Sequence, residues 1–113
     1  MMEERRKHPR ATISLDVTVW HTSGREWDGE SVDVSPGGLN VKFAGDLEPG
    51  SMVTLIFTLP DGGPMISALS AVVRKSAEGQ CFAFASLSYA DLVRLQKLVR
   101  AHIAGSSPGP TPS

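Results

Sequence analysis

Hydrophobic and polar residues alternate along most of the chain, and this pattern predicts β-strands. Between Thr12 and Trp20 every second residue is apolar, as in a strand with one buried face. Glycine, proline and other turn residues separate this run from further strand-forming runs. We therefore expect six strands, at residues 12–20, 26–33, 39–43, 52–59, 65–75 and 80–86. Gly29 inside the second run indicates a bulge.

The hydrophobic period changes at Ser88 and predicts one amphipathic helix. Ser88 is a favourable N-cap, and Leu92, Leu95, Val99 and Ile103 recur at helical spacing on one face. Basic residues at 94, 97 and 100 are interpreted as a solvated face of the same helix. We expect the helix to stop near residue 105, before a tail rich in proline and serine.

These elements together predict an all-β domain with a C-terminal helix, namely a six-stranded antiparallel β-barrel. The expected organisation is a flexible N-terminal arginine arm at residues 1–11, the barrel and helix at residues 12–104, and a disordered tail at residues 105–113.

Composition supports one small globular domain and argues against several functions. The chain has 113 residues, of which 41% are hydrophobic, and a formal net charge of −1. A near-neutral chain lacks the strongly basic surface on which binding to long nucleic acids depends. The low aromatic content, seven residues in all, also disfavours a barrel that stacks on single-stranded nucleic acid.

Cysteine and histidine content disfavours a disulfide, a zinc site and an enzyme. The one cysteine, Cys81, lies in the apolar run CFAF and is interpreted as a buried, inert thiol. The three histidines are dispersed, and no nucleophile motif accompanies them, so we expect no catalytic residues, no metal and no cofactor. With neither a signal peptide nor a membrane span in view, we expect a cytoplasmic protein.

Two short motifs carry candidate chemistry. The first contains Arg5, Arg6 and Arg10 directly upstream of the first strand. Guanidinium groups bind phosphate and the acceptor edge of guanine through paired donors, so three arginines suit an anionic purine ligand. A solvated basic tail is the simpler interpretation of the same residues.

The second motif runs from Asp33 to Gly38, with Ser35, Pro36 and Gly37 between them. It predicts a type II turn in which Gly37 adopts a positive φ. As a functional site, the Asp33 carboxylate would accept hydrogen bonds from guanine or hold an arginine. Ser35 would supply a hydroxyl, and Gly38 would let a ligand approach the backbone.

Together, Arg6-x-x-x-Arg10 and Asp33-x-Ser35-x-x-Gly38 resemble the RxxxR and [D/N]xSxxG motifs of PilZ domains, the bacterial receptors for cyclic di-GMP. The resemblance covers about residues 3–103. It implies that Arg6 and Arg10 contact phosphate and guanine, and that Asp33, Ser35 and Gly38 form the barrel side of the site. Arg5, directly before the motif, implies a site for either one nucleotide or an intercalated pair.

The resemblance also implies a stand-alone effector in signalling by a second messenger, with motility or exopolysaccharide synthesis as the usual outputs of the family. The signal would leave through an unknown protein partner. An alternative from a different class is a PilZ-like interaction adaptor that binds no nucleotide and uses its arginines only in salt bridges.

Overall fold

The computed structural model describes residues 10–106 of the chain, and for residues 104–106 it describes the backbone alone. Its six strand pairings are all antiparallel and close a barrel with the strand order β1-β2-β3-β6-β5-β4. The expected six-stranded antiparallel barrel with a C-terminal helix is confirmed. In chain order the elements are β1 Asp16–His21, β2 Glu26–Ser35, β3 Gly38–Phe43, β4 Met52–Phe57, β5 Ile66–Lys75, β6 Gln80–Ser86 and α1 Tyr89–Ser106.

One hydrophobic core fills the barrel, because every strand directs alternate residues inward. Burying these side chains supplies the main driving force for folding a chain of this size. The largest side chains that are almost fully buried are Phe57, Leu39, Leu55, Leu59, Ile66 and Leu95.

The first strand is shorter than its sequence pattern predicts. Residues 12–15 continue the alternation, but β1 begins at Asp16. The Leu15 N–H donates to the Ser31 hydroxyl over 2.7 Å, and that hydroxyl donates to the Ile13 carbonyl over 2.5 Å. The Ser31 N–H still donates to the Leu15 carbonyl over 2.9 Å, but for the Leu15 N–H the serine hydroxyl takes the place of a backbone acceptor, and the regular ladder stops there.

The bulge in β2 lies three residues beyond the predicted position. Gly29 pairs regularly, and glycine is required there because a Cβ would lie 2.7 Å from the Lys42 carbonyl oxygen. The register shifts instead between Ser31 and Asp33, so that an extra residue is inserted in β2. Ser31 and Val34 are consequently both buried, and the Asp33 side chain lies on the outer surface between them.

The C-terminal helix begins where the sequence predicts. The Ser88 hydroxyl accepts a hydrogen bond over 3.1 Å from the backbone N–H three residues later, which is an N-cap. Leu95 and Val99 are buried in the barrel core, whereas Ile103 at the end of the predicted apolar face is 40% exposed. The helix extends through Ser106, one residue past its expected end.

The sequence predicts that Arg94 lies on a solvated face of the helix, and for this residue the prediction is wrong. Its Nε and Nη2 donate to the two carboxylate oxygens of Asp61, over 2.8 and 2.9 Å, and its Nη1 donates to Asp91 over 3.2 Å. This ion pair joins the helix to the β4–β5 loop and holds the pKa of Asp61 well below its usual range, chiefly through the hydrogen bonds from Arg94.

Cys81 also differs from its expected environment. It is half-buried on the outside of β6, between inward-facing neighbours, and accepts a hydrogen bond from Arg74 Nη1 over 3.4 Å. Within residues 10–106, no helix is long and apolar enough to cross a membrane.

Candidate functional site

The last two residues of the expected N-terminal arm belong structurally to the barrel. Ala11 forms an antiparallel bridge with Val34, through two backbone hydrogen bonds of 2.8 and 2.9 Å, and only 3% of Ala11 is exposed. This bridge places Arg10 beside the end of β2. Arg5 and Arg6 lie outside the described residues.

Arg10 and Asp33 form an ion pair on the outer surface of the barrel. Both Nε and Nη2 of Arg10 donate to one oxygen of Asp33, Oδ1, over 2.9 and 2.5 Å. Of the two interpretations of Asp33, the structure shows the one in which its carboxylate holds an arginine. The side chains of Arg10 and Asp33 keep 31% and 25% of their surface exposed, so both remain accessible to a ligand.

The turn between β2 and β3 is closed by the Ser35 hydroxyl. Its Oγ accepts hydrogen bonds from the N–H groups of Gly37 and Gly38, over 3.2 and 3.1 Å, and donates to the Gly38 carbonyl. The predicted type II turn is wrong, because the glycines with positive φ among residues 10–106 do not include Gly37. Hydrogen bonds between the Ser35 hydroxyl and the backbone hold this turn, and a positive φ at Gly37 is not needed.

Gly38 packs directly against the neighbouring strand β6. A Cβ at this position would lie 1.9 Å from the backbone oxygen of Phe82, a distance that no side chain can occupy. The Gly37 carbonyl also accepts a hydrogen bond from the Phe84 N–H over 2.9 Å. Gly38 therefore allows two backbones to approach closely, and this contact fixes the turn on the barrel wall.

These residues divide into an accessible pair and a buried scaffold. Arg10 has five N–H donors and uses two of them on Asp33, so three remain for phosphate or guanine acceptors. Ser35 is 2% exposed and already uses its hydroxyl proton and its acceptor capacity within the turn. In this conformation Arg10 and Asp33 are the groups that can meet a ligand, and Ser35 and Gly38 hold them in place.

Two features that position the site were missed in the sequence. The bulge in β2 turns Asp33 outward, and the sequence gives no signal for it, because Ser31 on the buried side of the bulge is polar. The bridge from Ala11 to Val34 brings Arg10 to Asp33 across 23 positions of chain. No local pattern encodes such a bridge, because it depends on where the barrel places β2.

Within residues 10–106, no three or more His, Cys, Asp or Glu side chains lie together in a way that could hold a metal ion.

Comparison with known proteins identifies the family. The sequence matches the PilZ domain over residues 4–101. No curated protein sequence gives a significant match. Among solved structures, the chain is similar to the PilZ domain of YcgR from Escherichia coli, solved with c-di-GMP. The two have a TM-score of 0.70 and 14% identity, and the match covers 93% of this chain and 96% of that one.

Two further structures share the fold at similarly low identity. The Bacillus subtilis inhibitor of motility, MotI/DgrA, has a TM-score of 0.81 and 20% identity over 93% of this chain, which spans 54% of the MotI chain. The PilZ domain of CeSA from a cellulose-synthesizing bacterium has a TM-score of 0.63 and 19% identity, covering 81% of this chain and 95% of that one. The family match over nearly the whole sequence, on a closed barrel of this topology, shows that this chain belongs to the PilZ domain family.

Proposed function

We propose that this protein is a bacterial receptor for cyclic di-GMP. In this proposal the nucleotide binds between the N-terminal arginines and the Asp33–Gly38 turn, on the outer surface of the barrel. The observation that carries it is the accessible pair of Arg10 and Asp33, held beside the turn of a PilZ domain.

The ligand's chemistry matches that pair. Cyclic di-GMP carries two phosphate charges and two guanines, so a receptor needs cations and purine-edge contacts. The unused donors of Arg10 suit phosphate and the guanine acceptor edge, and the second oxygen of Asp33 suits the donor edge of guanine. Arg6 would provide a second guanidinium, and Arg5 would decide whether one nucleotide or an intercalated pair is bound.

In this proposal, nucleotide binding also fixes the backbone of residues 4–9 against the barrel. Fixing the backbone of one residue costs about 1–2 kcal/mol. Charge-assisted hydrogen bonds contribute about 1.5–3 kcal/mol each, so several of them from three arginines offset that cost only when the nucleotide is present. Binding would then create a new surface from the N-terminal arginines and the barrel, which a protein partner can recognise.

Isothermal titration calorimetry with cyclic di-GMP tests this proposal. We expect saturable heat for the full chain and a loss of at least tenfold in affinity for Arg6→Ala and for Arg10→Ala, since each removes charge-assisted bonds. Arg100→Ala, which removes an exposed cation from the helix, is the matched control and should bind normally. Absence of heat at high nucleotide concentration, with no shifted amide resonances, would favour the adaptor that binds no nucleotide.

The stoichiometry of the same titration tests the role of Arg5. If Arg5 supports an intercalated pair, the wild-type chain should bind two nucleotides and Arg5→Ala should bind one.

Similarity to an inhibitor of motility and to a domain from a cellulose-synthesizing bacterium supports motility or exopolysaccharide synthesis as the output. The protein is proposed to act there through a partner and without chemistry of its own.

A further inference from the structure

The outer surface of β4, and of β5 up to Val73, carries no charge and exposes large apolar side chains. Its outward positions are occupied by Met, Thr, Ile, Ser, Leu, Ala and Val, and the exposed cations Arg74 and Lys75 follow at the end of β5. Six large hydrophobic residues are exposed within the described chain, and four of them lie together on or beside this surface. We call this surface the β4–β5 face, defined by Trp20, Ile56, Met65, Leu69 and Val73.

Cross-strand pairing places Trp20, Ile56 and Leu69 in neighbouring positions of the β4–β5 face. Trp20 on β1 lies opposite Thr54, which lies opposite Leu69, and Ile56 lies beside Ser67 in the next outward row. Paired strands are about 4.8 Å apart, so neighbouring side chains in a row are in contact range. A surface patch of this kind is a common feature of protein interaction sites.

Acidic residues border this apolar face on one side. We call them the acidic row, and within residues 10–106 none of them forms an ion pair. Two belong to the same cross-strand rows as the face, because Glu26 lies opposite Trp20 and Asp28 lies opposite Thr18. One cation, Lys42, lies across from the last member of the row. The acidic row consists of Asp16, Glu26, Asp28 and Glu30.

A groove of about 590 Å³ lies where the two surfaces meet, and both contribute to its lining. Asp16 and Asp28 line its acidic side, and Ile56 and Met65 line its apolar side. The barrel is closed, so no strand edge is free for an added strand. A partner must therefore dock through side chains on a face, as an amphipathic helix does.

From this arrangement we infer that the β4–β5 face and the acidic row form a docking surface for a protein segment with an apolar side edged by lysine or arginine. The apolar side would cover the β4–β5 face, and the basic edge would pair with the acidic row, whose carboxylates form no ion pair among the described residues. Charge complementarity gives the partner its sign and orientation.

This surface is also adjacent to the candidate nucleotide site. Ala71 on β5 pairs with Ala83 on β6, and Ala83 pairs with Gly38 in the turn. One strand, β6, therefore separates β5 from the turn of the candidate site. The inference does not depend on nucleotide binding, and its test uses no nucleotide.

Peptide binding to the full chain tests the inference. The probe is an 18-residue peptide with leucines on one helical face and lysines on the other. One control peptide carries glutamate in place of lysine, and another has the same residues in scrambled order. By ¹⁵N amide shifts we expect the lysine peptide alone to bind, with the largest changes at Thr18, Trp20, Ile56 and Leu69. Raising the salt concentration should weaken it.

Variants separate the two components of the surface. Leu69→Ser should raise the Kd about fivefold or more by removing apolar contact. Asp28→Asn should raise it about threefold and reduce its salt dependence. Tyr89→Ser and Glu48→Gln change exposed residues elsewhere, and they should leave the Kd within about twofold of the wild-type value.

Several results would overturn the inference. One is that the glutamate or scrambled peptide binds as tightly as the lysine peptide, and another is that the lysine peptide fails to bind. A third is that the amide shifts change most at residues outside the β4–β5 face and the acidic row. If the wild-type chain forms a dimer that Leu69→Ser dissociates, the face is covered by a second copy. If Arg5→Ala strengthens binding of the lysine peptide, the N-terminal arginines of the same chain occupy the acidic row.

Discussion

Residues in and beside the β2–β3 turn have different physical roles. Asp33 and Arg10 form a partly exposed ion pair, and such pairs contribute only about 0–1 kcal/mol to stability. Gly38 is buried against the backbone of Phe82. The first two residues are therefore available for binding, whereas the glycine is required for the turn to pack.

This difference predicts opposite effects of two substitutions in the same turn. Gly38→Ala places a methyl group against a carbonyl oxygen, and we expect a loss of about 2–3 kcal/mol and a fall in Tm on the order of 10 °C. Asp33→Ala should change the free energy of unfolding by no more than about 1 kcal/mol but weaken binding of cyclic di-GMP.

Thermal denaturation and calorimetry on both variants check this prediction. Ser86→Ala, at the exposed end of β6, provides the stability control. A Gly38→Ala protein with wild-type Tm would show that the close contact with Phe82 relaxes easily. Unfolding of Asp33→Ala would assign the aspartate a structural role instead.

At the scale of elements, the helix is attached to the barrel in two ways. Leu95 and Val99 pack into the core, and Arg94 joins the helix to the β4–β5 loop through Asp61. The Asp61 carboxylate also accepts a hydrogen bond over 2.8 Å from the Gly63 N–H, which stabilises its charged form further. The loop and the first turns of the helix are thus held by one carboxylate.

This arrangement predicts a pH-dependent contribution to stability. The folded pKa of Asp61 is lowered from the ordinary value of 3.8, so its contribution is complete above pH 3.8 and is lost as the pH falls toward the folded value. Asp61→Asn should therefore lower the Tm at pH 7, and the difference from wild type should shrink below pH 3.8.

Thermal melts of both proteins between pH 2 and pH 7 measure this difference. Asp46→Asn is a useful control, since Asp46 pairs with the exposed Lys75 and does not contact the helix. A difference that stays constant down to pH 2 would contradict the assignment.

At the scale of the whole molecule, a closed barrel is a rigid support for a binding site. All six strands are paired on both sides, so the turn and the outer face keep their relative positions. We therefore expect a bound ligand to leave the barrel unchanged and to stabilise the folded state through mass action.

Cyclic di-GMP should accordingly raise the Tm of the full chain. At a free concentration of 100 times the Kd, the added stability is about 2.7 kcal/mol. Arg6→Ala should keep the Tm of the unliganded wild type and lose most of the shift, because Arg6 is proposed to contact the ligand. Differential scanning fluorimetry across a nucleotide titration is the measurement. A Tm shift in Arg6→Ala as large as in the wild type would refute the involvement of Arg6.

Local sequence determined the strands, the helix and the candidate motifs of this protein. Alternation with period two and the change of period at Ser88 specify secondary structure through side-chain direction alone. Glycine and proline likewise mark turns by restricting or freeing the backbone. The number of strands and the position of the helix were therefore predictable.

Tertiary structure decided the features that depend on distant partners. Strand β1 begins at Asp16 and not at residue 12, because the Ser31 hydroxyl bonds the backbone of Leu15 and Ile13. The direction of Asp33 depends on the bulge beside it, and the partner of Arg94 lies 33 positions away. Hydrophobic period reports which face of an element is buried, but hydrogen bonds and ion pairs between elements are set only when the barrel closes and brings those elements together.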